Sequence, residues 1–306
     1  MPAKPPGICM AAPSELLGNR PPAGSGRPET AAFTACAWPT VAATRRGAMI
    51  RCVPPDANAP VDAIVFDLFD TLVDLHFERL PSVEVGGRRL PSTYGRLHAA
   101  LPESCGIGFE EFADTLLALD REWADGAMRE GVEMPTRERF ARLARRLGLH
   151  ADEDLPGTLT RVHMGGLRSV AEVPTAHPAL LERLAARYRL GLCSNFSDAA
   201  TALGLLEEAG LLRFFDAHAI SETEGLRKPR PEIFHAVLGR LGVDPSRAVH
   251  VGDHLRDDVA GADAVGLRTI WVTRRVRDPE ASRGEQPGVR PTWVATDLAQ
   301  IPDLLP

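Results

Sequence analysis

The sequence predicts an α/β protein built on a parallel sheet, with a helical segment inserted after the first strand. Three observations predict it. Short apolar runs recur at 61–66, 190–193, 217–220, 248–251, 269–272 and 292–295, the pattern of strands buried on both faces. Helical periodicity fills the gaps between the later runs, at 197–209, 231–242, 256–265 and from about 297, and strands alternating with helices build parallel sheets. The long stretch between the first run and the second has a different, mainly helical pattern.

Taken in order, residues 1–60 hold 11 of the 26 prolines and show no periodicity. Such a segment buries too little surface to offset its ordering entropy and is predicted to be a disordered tail. Met49 would open a more ordinary chain. The first strand is the run Val61-Asp-Ala-Ile-Val-Phe66. After it, Val83-Glu-Val-Gly-Gly-Arg88 predicts a hairpin turning at Gly86-Gly87. Phe109, Phe112, Leu116, Trp123 and Ala127 recur at helical spacing, as do Phe140, Leu143, Ala144 and Leu147. A helical insertion at this point predicts a cap over the carboxyl edge of the sheet, where such sheets place ligands. The expected division is therefore a tail at 1–60, a core of 61–75 and 176–306, and a cap of 76–175.

Composition excludes several classes. With 306 residues, 44% hydrophobic and 25% charged, the chain is neither disordered throughout nor a disulfide scaffold. A net charge of −6 points to neither nucleic acid nor membrane, and no run of 18 apolar residues exists. Ala31–Ala43 is the nearest approach to a signal core, but Pro39 interrupts it and arginines follow rather than precede it. Five cysteines without C-x-x-C spacing suggest no zinc site and a reducing, cytoplasmic setting. Of the 35 basic residues only Lys4 and Lys228 are lysine, so any lysine chemistry must pass through one of two positions.

Four places at strand ends or loops carry chemical potential. Asp67 follows the first strand directly, in Phe66-Asp67-Leu68-Phe69-Asp70-Thr71-Leu72. It is placed to be a nucleophile or metal ligand, or to cap the next turn. Ser194 and Asn195 end the second core strand, as reacting groups or as ordinary turn chemistry. Lys228, before Pro229 and Pro231, sits on a rigid loop; most lysines are surface residues, but this chain has only one other. The run Gly252-Asp253-His-Leu-Arg-Asp257-Asp258 gathers three acids, suited to Mg²⁺ or to a helix N-terminus.

In this order, with separations of 127, 34 and 25 residues, the four sites resemble those of the haloacid dehalogenase-like hydrolase superfamily, in its helical-cap branch. The resemblance covers about 61–306. It implies a Rossmann-like core, Asp67 as nucleophile, Ser194 as the phosphate-binding hydroxyl and Lys228 as the charge-stabilising lysine. It implies that Asp67, Asp253 and the Phe69 carbonyl bind Mg²⁺, and that Asp258, rather than Asp257, is the second acid of the last motif. Asp70, Thr71, Asn195 and Asp257 would support the site. A small phosphorylated metabolite would be the substrate, with no nucleic-acid or membrane partner; the oligomeric state is left open.

One position departs from the pattern. Phosphatases of the superfamily carry a second aspartate two residues after the nucleophile, for proton transfer; here it is Phe69, with Asp70 one place on. Losing a general acid–base costs about 10²–10⁴-fold in rate. Asp70 could substitute, or could serve the turn as a hydrogen-bond acceptor. Superfamily dehalogenases need no metal and bear an aromatic residue at that place, so a 2-haloacid dehalogenase is the alternative, and a weak ligand-binding relative a third. The cap has no lysine, which disfavours a phosphonatase. Arg137, Arg139, Arg142, Arg145 and Arg146 read as a solvated helix face, His76 as a surface histidine and Cys193 as inert packing.

Overall fold

The computed structural model describes residues 59–149 and 154–306. The chain enters through β1 (Ala63–Phe66) and leaves it at once by a tight turn to β2 (Asp74–Leu75). Asp70 makes that turn in the left-handed region, at φ 59°, which aspartate tolerates better than most residues. Its amide donates to the Val73 carbonyl at 2.6 Å. Its carboxylate accepts from the Leu75 amide at 3.3 Å and from Arg275 Nε at 3.2 Å.

The inserted segment then begins with the expected hairpin, β3 (Ser82–Val85) and β4 (Arg88–Pro91). Gly86 and Gly87 turn it at φ 58° and 73°, the paired positive values that a two-residue hairpin demands. Four helices follow: α1 (Tyr94–Ala99), α2 (Phe109–Asp125), α3 (Thr136–Arg146) and α4 (Leu155–Arg168). Phe112, Leu116, Phe140, Leu143 and Leu159 meet in an apolar core of their own, separate from those against the sheet. The segment closes at β5 (Ala171–Glu172), which pairs antiparallel with β2, so its two ends leave the sheet side by side.

The helices carry one surprise. The arginine run on α3 is solvated at Arg137, Arg142, Arg145 and Arg146, each ion-paired on the surface. Arg139 breaks the pattern: one turn before Leu143, it is buried. It forks onto buried Asp120 of α2, Nε to Oδ1 at 2.7 Å and Nη2 to Oδ2 at 2.5 Å. The expectation of a uniformly solvated face fails here because Asp120 lies on the same apolar face of α2 as Leu116. A charge there requires a partner.

After α5 (His177–Ala185), which the sequence pattern did not single out, the chain alternates through β6 (Arg189–Ser194), α6 (Ala199–Glu208), β7 (Ala217–Ile220), α7 (Ser221–Glu224), α8 (Pro231–Leu241), β8 (Ala248–Gly252), α9 (Gly261–Ala264), β9 (Arg268–Val272), α10 (Pro279–Glu285), β10 (Trp293–Ala295) and α11 (Ile301–Leu304). All six expected strands form, in one parallel sheet ordered β10-β9-β8-β1-β6-β7. In the central strand Ile64 and Phe66 face one core, while Ala63 and Val65 face the other. That two-sided burial explains why the run is apolar at every position from 63 to 66. Most of the tail expected to be disordered lies outside the described residues. Ala59 and Pro60 lie within them, their carbonyls accepting from buried Arg268 at 2.5 and 3.0 Å.

His163 of α4 is buried, its Nδ1 2.6 Å from Thr93 Oγ1, and its Nε2 makes no hydrogen bond among the described residues. Burial, with Arg139 nearby, holds its pKa well below the usual 6.5. Below about pH 6.5 the unfolded chain therefore takes up a proton that the folded chain refuses, and stability is lost as pH falls. In urea titrations, His163→Gln is expected to lower the slope of stability against pH between 6.5 and 5 by up to about 1.4 kcal/mol per pH unit. An unchanged slope would mean that His163 is charged when folded.

Candidate active site

The site assembles at the carboxyl ends of three adjacent central strands. β1 delivers Asp67, whose amide donates to the Val251 carbonyl at 2.8 Å and so continues the ladder with β8. β6 ends on buried Ser194, and β8 ends on Gly252, with Asp253 next. The Trp271 indole donates to the Asp253 carbonyl at 2.8 Å, fixing the backbone there.

Asp258 reaches the site from a π-helical turn (Leu255–Ala260) that runs on into α9. Its Oδ2 accepts from the His254 amide at 2.9 Å, and its Oδ1 lies 3.0 Å from His250 Nε2. Gly252 permits this, because a Cβ there would stand 2.3 Å from the Asp258 carboxyl carbon. Asp257, by contrast, is not one of the three acids that converge.

Lys228 binds the arrangement together. Its ammonium is buried, 2.7 Å from Asp67 Oδ1 and 2.6 Å from Asp258 Oδ1. Asn195 holds the lysine's backbone from both sides, Nδ2 donating to the Lys228 carbonyl at 3.0 Å and Oδ1 accepting from its amide at 2.7 Å. Thr71 Oγ1 stands 3.4 Å from Asp67 Oδ2, long for a hydrogen bond.

The electrostatics follow from burial. Desolvation pushes the Asp67 carboxyl up to about 7: the lysine lowers it, but Asp258 and Asp253 raise it again. Asp258 goes the other way, held below the usual carboxylate range by Lys228 and His250 despite its burial. Lys228 is raised by its two carboxylates in spite of desolvation. Burial keeps the His250 imidazole pKa low and the ring neutral. The Cys193 thiol beneath the site is buried and pushed up to about 12, which fits inert packing.

One ligand atom from each of Asp67, Asp253 and Asp258 lies within 4.8 Å of the others. With all three carboxylates ionised against one ammonium, two negative charges are in excess on hard oxygen donors, and this donor set fits a divalent cation such as Mg²⁺. At the departing position, the Phe69 ring is buried against Phe196, centroids 4.5 Å apart. Asp70 stays with the turn, engaged by Arg275 and the Leu75 amide.

The sequence profile of the haloacid dehalogenase-like hydrolases matches residues 61–266. The chain belongs to this family and is a hydrolase. It is 30% identical over 69% of its length to a glyceraldehyde 3-phosphate phosphatase of Pyrococcus abyssi, covering 81% of that protein. It is 31% identical over 55% of its length to a pyrimidine 5′-nucleotidase of Escherichia coli, covering 69% of it. A 2-haloacid dehalogenase of Pseudomonas syringae pv. Tomato superposes with a TM-score of 0.60 at 25% identity, over 80% of this chain and 97% of that one. No helix among the described residues is long and apolar enough to cross a membrane.

Sequence reasoning missed three residues beside this site: Glu133, Arg227 and the buried role of Arg139. The only signal for Arg227 was its place next to Lys228.

Removing the buried cation leaves Asp67 and Asp258 facing each other. Lys228→Met is expected to destabilise the metal-free protein by about 3–5 kcal/mol in urea unfolding. Adding Asp258→Asn to it should restore much of the loss. A single-variant cost under about 1 kcal/mol would mean that the three groups are not mutually dependent.

Proposed function

We propose that the chain is a Mg²⁺-dependent phosphomonoesterase that acts on a small phosphorylated metabolite through an aspartyl-phosphate. The observation that carries this reading is the excess of carboxylate around one buried ammonium. It suits a cation and a phosphoryl group together, and would repel an anionic substrate without the cation. Asp67, Asp253 and the Phe69 carbonyl would hold Mg²⁺, which neutralises phosphoryl charge when bound. Asp258 has both oxygens in hydrogen bonds, so its part is to hold Lys228.

In the proposed reaction an Asp67 oxygen bonds to phosphorus as the bond to the ester oxygen breaks, and that oxygen leaves with the electron pair. Lys228 stabilises the charge, and Ser194 and the Ser194–Asn195 turn orient the phosphoryl oxygens. Water then attacks phosphorus, giving inorganic phosphate and restoring the carboxylate. Phe69 offers no proton, so the leaving oxygen takes one from solvent. Residues 76–175 act as a cap that excludes bulk water. A relative named as a phosphatase and one named as a nucleotidase, both at about 30% identity, support this reading, and the buried free thiol of Cys193 accords with a reducing, cytoplasmic setting.

Phe69 itself favours a second reading, metal-independent dehalogenation of a 2-haloacid, because a departing halide needs no proton. One paired assay decides between them. Phosphate release from a phosphomonoester panel is expected with Mg²⁺, to vanish with chelator, and to fall about a thousandfold or more in Asp67→Asn. Halide release from 2-chloropropionate in the presence of chelator would overturn the phosphatase reading.

The missing proton donor makes a further prediction. Phe69→Asp should raise kcat at least about tenfold on alkyl phosphates, whose leaving oxygens are strongly basic. The gain should be smaller on p-nitrophenyl phosphate, whose phenolate leaves without help. Equal effects on both would show that proton transfer at this position does not limit the reaction.

A further inference from the structure

Strand β9 supplies none of the three converging acids, yet the backbone segments that carry the assigned ligands are held from its carboxyl end. Its register sets Trp271 opposite Gly252, one residue before Asp253. Ile270 and Val272 face the apolar core that holds Phe66 and Phe69, so Trp271 between them turns to the other face of the sheet.

There the fully buried Trp271 ring packs with Leu255 and Val259, both on the π-helical turn that also carries Asp258. Its indole N–H goes to the Asp253 carbonyl at 2.8 Å. A buried tryptophan needs some acceptor for its N–H, and many carbonyls would serve. Here the acceptor belongs to a residue assigned to the cation. One side chain therefore steadies both acid-bearing segments that follow β8.

The same strand end reaches the other ligand segment. Arg275 donates from Nε to Asp70 Oδ1 at 3.2 Å and from Nη2 to the Leu75 carbonyl at 3.1 Å. It thus ties both ends of the turn that follows Phe69. The Phe69 carbonyl and the Asp70 amide belong to one planar peptide, on opposite sides of it. The amide points into the turn, onto the Val73 carbonyl at 2.6 Å, so the Phe69 carbonyl faces away from it. That arrangement depends on Asp70 keeping φ at 59°, a conformation in which few residues other than glycine are at ease.

We propose that Trp271 and Arg275 are positioning residues for the cation. Trp271 sets Asp253 and Arg275 sets the Phe69 carbonyl, so the end of β9 governs the affinity for Mg²⁺ from outside the ligand set. The inference rests on the phosphomonoesterase reading and its assignment of Mg²⁺. Partners that orient metal ligands are worth about 10–100-fold in metal affinity.

The test is calorimetric titration of Mg²⁺ alone into the metal-free protein, with the melting temperature of each variant recorded beside it. Trp271→Phe keeps an aromatic ring in the cluster and removes the N–H. Its Kd is expected to rise about tenfold. Arg275→Met keeps the apolar stem and removes both donors, and its Kd is expected to rise at least about threefold. By charge alone, losing an arginine beside carboxylates would tighten the binding of a cation. Weaker binding therefore reports position and not charge. Val289→Ala loosens the packing on Trp271 without touching its N–H, and should not weaken binding by more than about twofold.

A rise under about threefold in either variant would overturn the inference and leave the phosphatase reading intact. So would an equal loss in Val289→Ala, which would assign the effect to packing. Arg275 is partly exposed, so Arg275→Met carries the test should Trp271→Phe fail to fold. Absence of Mg²⁺ binding by the wild-type protein would remove both readings.

Discussion

The structure around the site depends on one buried ammonium, that of Lys228, set between Asp67 and Asp258 at 2.7 and 2.6 Å. Each carboxylate alone would be expensive at that depth, and so would the amine. Together they are tolerable, and the requirement fixes much else. Asn195 grips the lysine backbone, Gly252 has no side chain where Asp258 passes, and the π-helical turn brings Asp258 inward rather than Asp257. The remaining negative excess lies on oxygen donors and fits a divalent cation. This is the electrostatic condition for the phosphoryl chemistry proposed here.

A second set of buried polar contacts ties the inserted helices to the core. Glu133 meets Ser221 and Arg227, and the Thr136 amide donates to the Ser197 carbonyl at 2.8 Å while their hydroxyls lie 2.8 Å apart. Polar pairs at such an interface add less stability than apolar packing would, but they fix one relative placement of the groups they join. Here they join the insertion, through Glu133 and Thr136, to the core, through Ser197, Ser221 and Arg227.

Phe69 is the place where local chemistry and family pattern part. Its ring belongs to the apolar core with Phe196, and the neighbouring Asp70 is consumed by a left-handed turn and by Arg275. The displacement of an acid by a single residue is thus a real loss of proton-transfer capacity. In a turn, adjacent side chains point in different directions, and the surroundings of each settle what it can do.

The sequence by itself determined the parallel core. Its strands are apolar at successive positions, because both faces are buried, and that signal is local. It also determined the four motif positions: Asp67, Ser194 and Asp253 sit at strand ends, and a lone core lysine at Lys228 could hardly be accidental. Only the tertiary structure decided the rest. That Asp258 rather than Asp257 is the second acid followed from the family resemblance; how it comes to face Lys228, on a π-helical turn that passes Gly252 where no side chain stands, is seen only in the folded chain. That Arg139 is buried while its neighbours are solvated depends on Asp120, 19 residues away on another helix. That Glu133 and Trp123 of the insertion meet Arg227 of the core depends on how the insertion docks. Long-range pairing of charges leaves no periodic trace, because it is set by the partner and not by the residues on either side.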